Sequence, residues 1–220
     1  MTGAAAPKTA LLAGATGLVG GECLRALTAS PDYGRVLVVT RRDIGTGAAH
    51  PKVEQLLVDF ADLAAHAPQL TADHVFCTLG TTIKKAGSRE RFREVDFAYP
   101  HALARLTRER GAVHFSTVSA LGASTRSHFF YSRVKGELED ALRGMGWPSL
   151  AILRPSVIAG TRAESRPLER LAEHLLSIAP RTWRPVPAAT IAAAMVTLAR
   201  RAPLGVTVVE SRDIPGAAAA

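Results

Sequence analysis

Near its start the chain reads 8-KTALLAGATGLVGGECLRALTAS-30: an apolar run, three glycines spaced three apart, then a helical pattern. A strand that enters a helix through Gly14, Gly17 and Gly20 must turn tightly, let backbone approach whatever lies above the turn, and pack the helix on the sheet. Each of these disfavours a side chain. A glycine turn that closes the first strand of a β-α-β unit also presents a helix N-terminus, with free amides and a positive dipole end, to a phosphate. Gly14, Ala15, Thr16, Gly17, Leu18, Val19 and Gly20 are therefore the expected cradle for the pyrophosphate of a nicotinamide cofactor.

The same rhythm continues along the chain. Apolar runs at 8–14, 35–40, 53–59, 73–79, 112–119 and 149–155, with a weaker one at 206–209, alternate with helical patterns near 18–29, 88–110, 128–143, 168–179 and 188–201. Several of the runs lack polar alternation, as strands buried on both faces do. The pattern predicts an α/β fold: a Rossmann-type doubly wound parallel β-sheet with helices on both faces. With 220 residues, the expectation is one domain, 1–220, holding a small substrate or lid segment at 156–187 and disordered termini, MTGAAAP and PGAAAA. Pro100 interrupts the pattern 88–110 and predicts a kink, or a new helix starting near Asp96.

Other classes fit poorly. The net charge of +8 is mostly arginine interleaved with glutamate, as on a solvated helix face, and no aromatic-rich strand offers bases a stacking platform. Nucleic acid is not an expected partner. No apolar run reaches membrane length. The histidines are scattered and no Cys-x-x-Cys cluster occurs, so no metal site is expected, and no Gly-x-Ser-x-Gly elbow supports hydrolysis. Cys23 and Cys77 lie far apart within apolar segments, which reads as buried thiols in a reducing compartment, the cytoplasm.

The second strand ends 39-VTRRD-43, placing Arg41 and Arg42 where an acid would hold the ribose 2′-hydroxyl of NAD. A guanidinium pairs well with a 2′-phosphate, so NADP(H) is favoured, with Asp43 keeping NAD(H) open. Asp59 and Phe60, after the third strand, are expected to flank the adenine. Thr78, Leu79, Gly80, Thr81 and Thr82, after the fourth, form a turn of mostly small residues that lets backbone approach the cofactor.

Taken together, 14-GATGLVG-20, 77-CTLGTTIKKAG-87, 95-VDFAYP-100, 118-VSALGA-123, 129-FFYSRVKGELE-139 and 153-LRPSVI-158 resemble the short-chain dehydrogenase/reductase superfamily. The closer likeness is to its atypical branch of Tat-interacting-protein-like oxidoreductases, over roughly residues 8 to 200. The resemblance implies an active-site serine at Ser119, tyrosine at Tyr131 and lysine at Lys135, with Ser116 a rival for the substrate contact. It also implies cofactor contacts at Arg154, Pro155 and Val157, and from Tyr131 and Lys135 themselves. In such a site the lysine holds the nicotinamide ribose, the serine holds the substrate oxygen and the tyrosine transfers the proton. A free tyrosine titrates near ~10, and a nearby ammonium and an oxidised nicotinamide both favour the phenolate. One departure from the superfamily is Asp96, standing where many members carry an asparagine that supports a proton-relay water.

Past the sixth strand, Leu168, Leu171, Leu175 and Leu176 share one helical face, as a lid would, and Trp183 is a candidate pocket residue. Arg162, Arg166, Arg170, Arg181 and Arg184 are there to attract an anion or simply to face solvent. Two functions follow: an oxidoreductase acting on a small carbonyl, alcohol or quinone, and an NADP(H)-binding redox sensor with little turnover. The chain is expected to be a monomer or homodimer.

Overall fold

The computed structural model describes residues 6–45, 49–160 and 181–220. The first part of the chain runs β1 (Lys8–Ala13), α1 (Leu18–Ala29), β2 (Tyr33–Thr40), β3 (Val53–Leu57), 3₁₀ turns over Phe60–Gln69 and β4 (His74–Cys77). A short α2 (Ile83–Ala86), α3 (Arg89–Arg93), a π-helical turn (Glu94–Ala98) and α4 (Tyr99–Glu109) lead to β5 (His114–Val118), α5 (Phe130–Arg143) and β6 (Ser149–Arg154). There follow β7 (Ile158–Ala159), a 3₁₀ turn at Arg181–Trp183, β8 (Val186–Pro187), α6 (Ala188–Arg201), β9 (Gly205–Glu210) and α7 (Ile214–Ala219).

Seven strands make one sheet in the order β3-β2-β1-β4-β5-β6-β9, every neighbouring pair parallel. Chain order reverses between β1 and β4, so the crevice of a doubly wound fold opens at their carboxyl ends. The sheet is buried on both faces, which is why its strands read as continuous apolar runs. Leu11, Leu37, Val75, Phe115 and Ile152 join the layer that includes α4 and α5, whereas Leu12, Val38, Phe76 and Leu153 join the one that includes α1 and α6. Alanines in α6 let it approach α1 closely enough for Cys23 Sγ to lie 3.9 Å from Met195 Sδ.

One local expectation is corrected. The closing PGAAAA is not a disordered tail: α7 forms there, with Ile214 fully buried and Ala217 and Ala218 packed on the core. Alanine has the best helix propensity, and a buried anchor lets a short helix form. Before Pro100 the helical run widens, the Tyr99 N–H reaching the Glu94 carbonyl five residues back, and Pro100 falls in the first turn of α4, which begins at Tyr99 and where its missing N–H matters least.

At the amino edge of the sheet, histidines are buried in the core. His74 Nδ1 lies 2.8 Å from the Tyr33 hydroxyl, and the two ring nitrogens of His114 lie 2.8 Å from Ser149 Oγ and 2.6 Å from Ser116 Oγ. Burial, helped by nearby positive charge, pulls His74 down to about 4 and His114 to about 3, from an ordinary 6.5. Both therefore bind protons more weakly folded than unfolded, and their contribution is complete above the ordinary value and lost as pH falls through it towards the folded ones. Urea stability is expected to fall by roughly 2–4 kcal/mol between about pH 6.5 and about pH 5. His114→Asn should flatten that slope by about half; an unchanged slope would assign the acid sensitivity elsewhere.

Candidate active site

The glycine turn sits at the end of β1, beside the crevice. A Cβ on Gly20 would stand 2.0 Å from the Gly14 carbonyl oxygen and 2.7 Å from Thr78 Oγ1, so only glycine lets α1 lie this close to the sheet. On the outer side, a Cβ on Gly17 would meet only the Gly14 carbonyl, at 3.3 Å, and α1 starts with no side chain capping it. Open space above uncapped amides is what a dinucleotide phosphate requires, so the residues present fit that group. Thr16 and Gly17 are exposed, Gly14 and Leu18 half-buried, and Ala15, Val19 and Gly20 buried.

Along α5, Tyr131, Lys135 and Glu139 are spaced four apart and share one face. Tyr131 stays 37 % exposed, its ring 5.6 Å from that of Phe92. Lys135 is buried, with its Nζ 2.8 Å from Asp96 Oδ1. The other carboxylate oxygen, Oδ2, accepts the Thr81 N–H at 2.8 Å. Burial alone would drag the Lys135 ammonium down, but Asp96 and Tyr131 outweigh it and hold the amine above its ordinary range.

One turn further, Glu139 is fully buried at the centre of a charged cluster. Arg154 reaches both its oxygens, Arg143 donates at 3.0 Å, and the Ser119 hydroxyl donates to Oε1 at 2.5 Å. Arg154 also bridges to Glu210 at 2.9 Å. Its hydrogen bonds to Glu139 and Glu210 hold the guanidinium above its ordinary value against the pull of burial. Ser119 thus lies at the end of β5 with its proton committed to Glu139, and Ser116 is bound within the strand to His114.

The other expected residues are distributed as follows. Arg41 and Arg42 are exposed just beyond β2, whereas Asp43 is turned onto the Gly45 N–H at 2.7 Å. Asp59 is exposed and caps the following 3₁₀ turns through the Ala61 N–H. Phe60, expected beside an adenine, is instead buried, stacked on Tyr99 at 5.6 Å, because it opens a turn that packs under the sheet. Thr78 Oγ1 donates to the Ala13 carbonyl, tying β4 to β1; Leu79 and Thr81 are half-buried, Gly80 is exposed, and Thr82 caps α2. Pro155 is buried, and Val157 and Trp183 are exposed at 43 % and 59 %. Leu168, Leu171, Leu175, Leu176, Arg162, Arg166 and Arg170, and with them most of the expected lid, lie outside the described residues.

Sequence reasoning missed Glu139 and Gly136. Glu139 continues the 131/135 spacing, and a charge on the buried stripe of a helix is itself a signal of a partner. A Cβ on Gly136 would stand 2.3 Å from the Ser124 carbonyl carbon, so this glycine lets α5 press against the loop after β5.

No protein-family model matches the chain. It is 37 % identical to the mitochondrial protein fmp52-1 of Aspergillus terreus over 174 residues, which is 76 % of this chain and 74 % of that protein. It is 34 % identical to the protein HTATIP2 of Rattus norvegicus over 194 residues, 86 % of this chain and 80 % of the other. Among solved structures, the Bordetella bronchiseptica enzyme WbmG in complex with NAD shares the fold, with a TM-score of 0.72 at 12 % identity over 96 % of this chain and 75 % of WbmG.

Removing the Glu139 carboxylate would leave Arg154 and the Ser119 hydroxyl without their buried partner. Glu139→Ala is expected to destabilise the fold by about 3–5 kcal/mol in urea titration, and Arg143→Ala, at the rim, by less than about 1 kcal/mol. Equal losses would mean that the cluster is not centred on Glu139.

Proposed function

The chain belongs to the HTATIP2-like family of atypical short-chain dehydrogenases/reductases, and we propose that it is an NADP(H)-dependent oxidoreductase acting on a small carbonyl, alcohol or quinone. The observation that carries this reading is the buried Lys135 ammonium one helical turn from the partly exposed Tyr131, at the sheet edge that also holds the open glycine turn. The fold shared with an NAD-bound enzyme supports a nicotinamide cofactor. Arg41 and Arg42, exposed beyond β2, suit the 2′-phosphate of NADP(H), whereas Asp43 is engaged by the Gly45 N–H and by Gln55.

A bound nicotinamide supplies or accepts the hydride. The glycine turn and the amides of α1 would hold the pyrophosphate, the 78–82 turn would offer its backbone to the cofactor, and the Lys135 ammonium would donate a hydrogen bond to the ribose. Tyr131 gives its hydroxyl proton to the substrate oxygen in reduction and takes one back in oxidation. The Ser119 oxygen, its own proton on Glu139, is free to accept a hydrogen bond from a substrate hydroxyl. That commitment of Ser119 also favours a second reading, a redox sensor that binds NADP(H) with little turnover.

Cys23 and Cys77 are buried, unpaired thiols, raised by that burial to about 12 and about 11, so neither is a ready nucleophile and a reducing, cytoplasmic setting suits them. No helix among the described residues is long and apolar enough to cross a membrane. A monomer or homodimer is proposed.

NADPH is expected to bind at least about tenfold more tightly than NADH, and replacing Arg41 and Arg42 together by alanine should remove most of that preference while sparing NADH. With NADPH and a panel of aldehydes, ketones and quinones, Tyr131→Phe should slow turnover by roughly 10²–10⁴-fold with little change in cofactor affinity. Binding with no turnover of any panel member by the wild type would favour the sensor.

A further inference from the structure

We infer that Asp96 is a positioning residue of the acid/base site, clamping the Lys135 ammonium to the 78–82 turn and keeping it protonated. The inference rests on the cofactor reading above and extends it to a residue that touches neither cofactor nor substrate. Three elements meet at this carboxylate. Its Oδ1 pairs with Lys135 Nζ of α5 at 2.8 Å, and its Oδ2 accepts the Thr81 N–H at 2.8 Å. The carboxylate itself projects from the π-turn. The side chains of Asp96 and Lys135 are 1 % and 5 % exposed, so water does not compete for either. A Cβ on Gly80 would stand 3.4 Å from Asp96 Oδ1 and 3.8 Å from Lys135 Nζ, which puts the pair directly against the turn's backbone.

Among the described residues, the titratable groups acting on Lys135 are Asp96, Tyr131 on its own helix and Cys77 at the end of β4, and β5 contributes the Val118 carbonyl at a long 3.5 Å. An ammonium buried without a counter-charge loses its proton readily, because a low-dielectric surrounding disfavours the charged form. The Asp96 carboxylate reverses that tendency here and holds the Lys135 ammonium above its ordinary range. The pair has no net charge, so it offers a ribose a fixed N–H donor more than a long-range field.

The test compares NADPH affinity, read by fluorescence between about pH 7 and about pH 9.5, in wild type and Asp96→Asn. The asparagine keeps the size and the acceptor for Thr81 but removes the charge. Wild-type affinity should stay within about twofold across the range, and the variant should weaken roughly tenfold towards the alkaline end as its amine becomes neutral. Asp96→Ser, smaller and also uncharged, should behave alike and serves if the asparagine variant does not fold. A flat profile in the folded variant overturns the inference. Urea titration of the cofactor-free proteins decides the matter independently of the cofactor reading. Unpaired Lys135 binds its proton more weakly folded than unfolded, so the destabilisation of the variant should shrink by at least half over the same range. A loss that does not change with pH also overturns the inference, whereas failure of wild type to bind NADPH at any pH overturns only the proposed function.

Discussion

Helix α1 lies as close to the sheet as the backbone permits, and the site is built outward from that contact. Gly14, Gly20 and Thr78 fill one another's space so fully that a single methyl group on Gly20 would overlap a carbonyl oxygen. The Thr78 hydroxyl bonds the Ala13 carbonyl at 2.9 Å, so the same knot draws in the end of β4. It lies where chain order reverses, and it sets the positive end of α1 at the mouth of the crevice.

Beside this neutral knot runs a line of charge taken out of water. Helix α5 presents Lys135 to Asp96 and, one turn on, Glu139 to Arg154. Buried ion pairs seldom add much net stability, because desolvation offsets most of the attraction. The fold's stability comes instead from the two apolar layers, in which residues such as Phe76 and Phe115 are fully buried. What the ion pairs contribute is direction: each charge has one place where its partner can meet it, and α5 is thereby fixed in rotation and in height against β5 and β6.

Much of this was legible in the residues themselves. The parallel sheet followed from apolar runs without alternation, and the glycine turn from its position after the first strand. The weak run at 206–209 is a full strand, β9. Its run is short and broken by the polar Thr207, and Val206 and Val208 are exposed, so it carried little of the signal of a strand buried on both faces. Phe60 was misplaced because an aromatic residue after a strand reads alike whether its ring faces a ligand or the core. Glu139 escaped because helical spacing gives the face of a residue but not its depth; only the packed structure shows that this face meets Arg154 and Ser119. Asp96 stood out as a departure, yet its link to Thr81 depends on a turn that lies fifteen residues away in the chain.

The π-turn at Glu94–Ala98 is in effect one residue more than a regular helix needs for the same span. Removing a neighbour of Asp96 from it would close the bulge, leaving the flanking turns in place but re-aiming the residues within it. Asp96, on that segment, would swing away from Lys135, although no charged residue had been altered. The electrostatic balance of the site is therefore written partly in the length of a helix: a change that an alignment scores as a single gap would be felt by the amine as the loss of its counter-charge.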